Sequence, residues 1–234
     1  MAADHDDVAA DAPHPVADKA RLVAFSDGVL SIAITLLVFD LAPSGVRPGR
    51  LLHELLRQWP AYLAYLTSFG YLAVIWLNHH TLFNRVEAVD RGVKWANFAV
   101  LMTSSAIPFP TAMISDAVRN GDLADERAAV ALYGLVGAVM CASWLLLYHA
   151  IRNRPALHRD DADVAFFHEG RVRAGIGIVA YLVAAALGVV TSPVVALVIF
   201  LLLPPFYAVT AQGLRDSPLP APTAVLGASR QPTG

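Results

Sequence analysis

Leu22–Leu41 reads LVAFSDGVLSIAITLLVFDL, twenty residues with only Asp27 and Asp40 charged. A helix needs about 20 residues to cross the roughly 30 Å hydrocarbon core of a bilayer. Five more such stretches follow, at Ala61–His80, Trp95–Ala117, Ala128–Ile151, Ile176–Thr191 and Pro193–Thr210. The fifth is short, and only the Thr191–Ser192–Pro193 turn divides it from the sixth, so the two form a tight hairpin. The stretches are continuously apolar, without the alternation of a membrane barrel. The expected fold is therefore all-α: an integral membrane protein with six transmembrane helices per subunit.

Composition agrees. Of 234 residues, 56% are apolar and 15% charged, and the mean hydropathy is +0.53. A soluble domain of this size rarely carries so little charge. The net charge of −2 points away from nucleic acid. The one cysteine, Cys141, excludes an internal disulfide. Met1–Asp18 is acidic and does not read as a signal peptide. Residues 1–18 and the Pro-rich residues 214–234 are expected to be disordered tails, since neither holds enough apolar surface to order itself. Residues 19–213 form the membrane domain between them.

Basic residues set the orientation. With the N-terminus inside, twelve Lys and Arg fall on the inner side and five on the outer. Both termini are then cytoplasmic, which an even helix count allows. The Arg-rich stretch 152–173 is the largest inner cluster and can touch anionic lipid. Trp59, Trp76, Trp95 and Trp144 suit interfacial anchoring or packing.

Polar groups inside a membrane helix are expensive, so each needs a partner or a purpose. In the inside-first orientation, Asp27 lies near the cytoplasmic end of the first helix. The second helix returns His79 and His80 to that level, and Arg21 is also there. A carboxylate so placed needs a donor, which Arg, Trp or His can supply. A polar cluster locking the first three helices together is expected. On a helical wheel with Ile32 at zero, Gly28 and Leu36 fall about 40° to either side, Phe39 about 20° away and Thr35 about 60°. Ser26 and Asp27 fall about 120° and 140° away. A pore lined by this helix would be apolar at its narrowest, with Asp27 structural.

The residues also carry a resemblance. Arg21, Phe25-Ser26-Asp27, Ile32 and Thr35-Leu36-Leu37 match the first-helix signature of the prokaryotic transmembrane-protein-175 potassium channels. Ser68-Phe69, Leu72, Trp76, His79-His80 and Phe83 follow in the second helix, and Asn97, Leu101 and Phe109-Pro110 in the third. The match spans residues 21–111, and the last three helices agree only in hydropathy. The resemblance implies a homotetramer with the first helix of each subunit lining a central pore. By motif position it implies a constriction of Ile32, Leu36 and Phe39, with Thr35 contributing selectivity. It implies a packing network of Arg21, Ser26, Asp27, Trp76, His79 and His80. Phe39 stands where the family usually has leucine, and Ser31 where alanine is common.

The expected function is thus a potassium-permeable cation channel of the bacterial inner membrane, and not an enzyme. Its expected partners are copies of itself, membrane lipid and the permeant potassium ion, with no cofactor, no metal site and no nucleic acid. Asp40 would concentrate cations at the outer mouth. Two rival readings use the same residues: a proton-coupled transporter working through Asp27 and His79, and a membrane haem or redox protein using the histidines. Adjacent helical histidines point about 100° apart, which disfavours a shared metal.

Overall fold

The computed structural model describes residues 15–41, 48–159 and 164–210. Helix α1 spans Pro15–Leu36 and continues as a 3₁₀ turn over Leu37–Leu41. It therefore begins inside the stretch expected as an N-terminal tail; the rest of that tail, the C-terminal tail, Arg47, Arg215 and Arg230 lie outside the described residues. The short α2 (Leu51–Arg57) precedes α3 (Trp59–Asn84), α4 (Arg91–Ser105), α5 (Pro108–Asn120), α6 (Leu123–Arg152), α7 (Val164–Val190) and α8 (Pro193–Thr210). Six spans are long and apolar enough to cross a membrane, with α4 and α5 together forming the third. No strand occurs among the described residues; Val86 and His158 make one isolated bridge.

Local chemistry explains the boundaries. Asp90 caps α4 by accepting from the Val93 N–H at 2.8 Å, and Asp122 caps α6 by accepting from Ala124 and Asp125. Gly121, at φ 72°, closes α5 in the left-handed conformation that glycine adopts without penalty. The third span breaks between Ser105 and Pro108, because Pro108 and Pro110 lack the N–H groups a continuous helix needs. Hydropathy placed the start of the fifth span at Ile176, whereas α7 starts at Val164. Its first turns carry His168, Arg171 and Arg173, so the Arg-rich stretch is partly helix rather than loop. Arg173 Nη1 donates to the Thr210 carbonyl and fastens α7 to the end of α8. The connection between the first two spans also gains α2, held to α3 by the Tyr62 hydroxyl donating to the Leu55 carbonyl at 3.0 Å.

The centre of the subunit is α6. Of its most apolar stretch 56% is buried, against 28% for the first and last spans. Lipid tails are as apolar as leucine, so association of membrane helices relies on close packing and on hydrogen bonds between them. Small residues supply the first. A Cβ on Gly134 would lie 2.5 Å from the Ala185 Cβ and 2.9 Å from the Tyr181 carbonyl oxygen. One on Gly137 would lie 2.5 Å from the Tyr181 ring. Hydroxyl pairs supply the second: Ser68 with Thr111 at 2.7 Å and Thr103 with Ser143 at 3.0 Å.

Gly134→Ala therefore forces backbone apart at the α6–α7 contact, a cost of about 1–3 kcal/mol. Its thermal midpoint in detergent should fall. Gly175→Ala, with nothing within 4 Å of the new methyl group, should leave the midpoint unchanged or slightly raised.

Candidate pore face and its anchoring network

Helix α1 sorts its residues onto two faces. Leu22, Ser26, Leu30, Ala33 and Leu37 are buried against the subunit. Arg21, Phe25, Gly28, Ile32, Thr35, Leu36 and Phe39 form an uncovered stripe, with Ile32 61%, Leu36 44% and Phe39 71% exposed. An apolar exposed face alone would suit lipid. This one also presents Arg21, Ser31 and Thr35, and polar groups against hydrocarbon are expensive. The arrangement suits a face turned to water or to another copy.

The hydroxyls on this face are oriented. Thr35 Oγ1 donates to the Ile32 carbonyl at 2.9 Å, and Ser31 Oγ to the Asp27 carbonyl at 2.6 Å. Their hydrogens are committed to the helix, leaving oxygen lone pairs to face outward. Winding also matters. Side chains three apart eclipse in a 3₁₀ turn, so the Leu37–Leu41 turn brings Phe39 into line with Leu36. A straight α-helix would set the two about 60° apart.

Behind the stripe lies the polar network, and it has two branches. In the buried branch, Asn97 Nδ2 donates to Ser26 Oγ at 2.9 Å, and Ser26 Oγ donates to the Leu22 carbonyl at 2.8 Å. Asn97 Oδ1 is then left to accept from His79 Nε2, 2.8 Å away. That direction fixes the histidine proton on Nε2. His79 is fully buried, its ring 4.5 Å from that of Phe83. Its Nδ1 has no partner among the described residues. In the outer branch, Trp76 Nε1 donates to Asp27 Oδ1 at 2.9 Å, and His80 stacks on Trp76 at 5.6 Å.

The structure thus brings together Ser26, Asp27, Trp76, His79 and His80, but not Arg21. Arg21 is exposed and has no hydrogen-bonding or ionic partner among the described residues. Six residues of helix turn it about 120° from Asp27 and onto the uncovered stripe, so Trp76 is the donor that Asp27 finds in its own subunit. Asp18 instead pairs with Lys94 at 2.6 Å, tying α1 to α4. Asn97, the centre of the buried branch, is absent from the set expected from sequence. An amide inside an apolar span was the signal that it must have partners. Asp40 is half-buried, with Oδ2 enclosed and unpartnered among the described residues, and Asp116 of α5 lies within electrostatic reach. His79 and His80 face different surroundings, and the described residues assemble no group of three metal-ligating side chains.

Known proteins resemble this chain in sequence and fold. Residues 21–108 match the family described as endosomal/lysosomal potassium channel TMEM175. A potassium channel of Streptomyces collinus is 38% identical over 177 residues, covering 75% of this chain and 85% of its own length. The human endosomal/lysosomal proton channel TMEM175 is 29% identical over 157 residues, covering 62% of this chain and 31% of its own length. The crystal structure of a lysosomal potassium-selective channel TMEM175 homologue from Chamaesiphon minutus matches with a TM-score of 0.71 at 31% identity, covering 83% of this chain and 98% of its own. These relatives are ion channels, not enzymes. Six apolar spans and such relatives make the chain a multi-pass membrane protein.

Replacing Asn97 by leucine strands the His79 N–H, and a buried unsatisfied polar group costs about 1–3 kcal/mol. The thermal midpoint of Asn97→Leu should drop. The double variant Asn97→Leu/His79→Leu removes both partners and should recover part of the loss. Trp76→Phe, at a half-exposed site, should cost less than Asn97→Leu.

Proposed function

Because the chain belongs to the TMEM175 family of ion channels, we propose that it is a potassium-permeable channel in which four copies surround a pore lined by α1. The observation that carries this reading is the uncovered stripe of α1. It is the first span of the subunit, it is anchored from behind by buried hydrogen bonds, and it offers a face that its own subunit leaves open. Fourfold repetition about that face would bring Ile32, Leu36 and Phe39 into successive apolar rings. Such rings raise a barrier to a hydrated ion and can hold the path shut by dewetting. Opening requires the α1 helices to separate.

Thr35 gives the path its chemistry. Four outward oxygens would replace part of the hydration shell of a passing cation. Potassium releases water more readily than sodium, so a narrow site with few oxygens favours it. No carbonyl cage is at hand, and selectivity should be moderate. Potassium is cargo here, and no resident cofactor is needed. Asp40 is set beside the outer mouth, where four carboxylates would raise the local cation concentration. Arg21, on the pore side of the helix, is available to a neighbouring subunit. The excess of basic residues on one side supports a bacterial inner-membrane location with both termini cytoplasmic.

A second reading, proton permeation, is favoured by the name of the human relative, a proton channel. The transporter reading has less support, since Asp27 and His79 are bonded to different partners, Trp76 and Asn97.

Reconstituted in liposomes, the wild type should pass potassium down its gradient, and Ile32→Asn should wet the constriction and raise sodium permeation. Absence of wild-type flux under every gradient and pH tested would overturn the channel reading; flux of protons alone, read by an internal pH dye, would favour the second. Thr35→Val keeps the shape and removes the oxygen, and should lower the potassium-to-sodium ratio severalfold. Asp40→Asn should reduce single-channel conductance at low salt and not at high salt. Equal conductance at low salt removes Asp40 from the mouth.

A further inference from the structure

Between the N-terminal turns of α4 and the C-terminal turns of α6 runs a groove of about 510 Å³. It borders the α1 stripe, since Trp95 meets Phe98 edge-on at 5.9 Å and Phe98 meets Phe25 of the stripe at 5.9 Å. One end is polar, formed by His149, Asn153 and Arg154; the other is apolar, formed by Trp95 and Leu146. Arg154 is fixed there. Its Nε sits 2.5 Å from Asp90 Oδ2, its Nη1 donates to the Ala150 carbonyl at 2.9 Å, and the guanidinium covers Gly92, where a Cβ would come within 2.7 Å of Nη2. His149 and Asn153 contact each other at 2.8 Å, on an exposed face.

Asp90 offsets the charge of Arg154, so the charge balance rests on neighbours. Arg91 begins α4 and Arg152 ends α6, and neither has an ion-pair partner among the described residues. They adjoin the lining residues Gly92 and Asn153 in sequence, outside the lining itself, and make the surroundings of the polar end basic. From the apolar end, exposed side chains continue into the membrane along both helices: Trp95 and Met102 on α4, Leu146, Val139 and Leu135 on α6. The groove is cationic where the bilayer has headgroups and apolar where it has chains.

We infer that this groove is a binding site for an anionic phospholipid of the adjacent leaflet. Its phosphate is received by Arg91, Arg152 and the His149–Asn153 pair, and one acyl chain lies along Trp95 and Leu146. The polarity of the groove, basic at one end and apolar at the other, suits an amphiphile standing parallel to the helices. Its basic end selects an anionic headgroup over a zwitterionic one. A phosphate without chains would leave Trp95 and Leu146 uncovered. The site does not depend on ion conduction.

The test uses the full chain in detergent, with phosphatidylglycerol, phosphatidylcholine and soluble glycerol phosphate as probes. Native mass spectrometry counts retained lipid and a thermal ramp reads stability. Phosphatidylglycerol at about a hundredfold excess over its Kd should raise the thermal midpoint by roughly 5 °C or more. Phosphatidylcholine should do so less, and glycerol phosphate not at all. Arg91→Gln/Arg152→Gln should reduce phosphatidylglycerol retention severalfold and abolish the preference over phosphatidylcholine. Leu146→Trp fills the apolar end without touching the cations, and should reduce retention of both lipids. Equal stabilisation by both lipids, a glycerol phosphate effect as large as that of the lipid, or stabilisation that follows protein concentration instead of lipid would each overturn the proposal. The wild-type comparison and Leu146→Trp decide the matter even where the double charge variant does not fold.

Discussion

One side-chain amide holds the first three spans in register. Asn97 gives its N–H to Ser26 of α1 and its oxygen to His79 of α3, with all three side chains buried. In a low-dielectric interior a satisfied chain of this kind is rigid, and a broken one leaves polar groups with nowhere to turn. The anchor fixes more than position. Because Ser26 must face Asn97, Gly28 and Ile32, about 160° and 120° round the helix from it, must point away from the subunit. The rotational setting of the candidate pore helix thus follows from a contact on its far side.

The rest of the subunit is built to leave that face open. The tightest packing lies elsewhere, where Gly134 and Gly137 admit Tyr181 and Ala185 of α7. The tyrosines extend this centre, with the Tyr133 ring 4.8 Å from Phe200 of α8. Burial is greatest in α6, while α1 is held at the edge of the subunit by α3 and α4.

Much of this was legible in sequence, for physical reasons. The spans announce themselves because a bilayer demands long apolar runs. The uncovered face of α1 follows from helical periodicity, and the nearness of Asp27 to the end of α3 follows from matching depth. Three features were less legible. The α7 start was hidden because its first turns carry Arg171 and Arg173, which hydropathy reads as loop although they continue the helix. The partner of Asp27 was ambiguous, since Arg21, Trp76 and the histidines were all open as donors and rotation about the helix axes decides among them. Asn97 escaped the expected network because its partners lie 18 and 71 residues away, and depth alone does not pair side chains.

Two anchors of α1, Ser26 to Asn97 and Asp27 to Trp76, are adjacent in sequence and engage different helices. Gripped from two sides at that level and tied again nine residues earlier by Asp18 to Lys94, the first half of the rod can neither spin nor pivot as a lever. What is left to move is the length beyond Asp27, about 18 Å to Phe39, where a bend of 5° would carry the far end roughly 1.5 Å sideways. Ile32, nearer the grip, would travel less than half as far, so any such movement grows from Ile32 through Leu36 to Phe39.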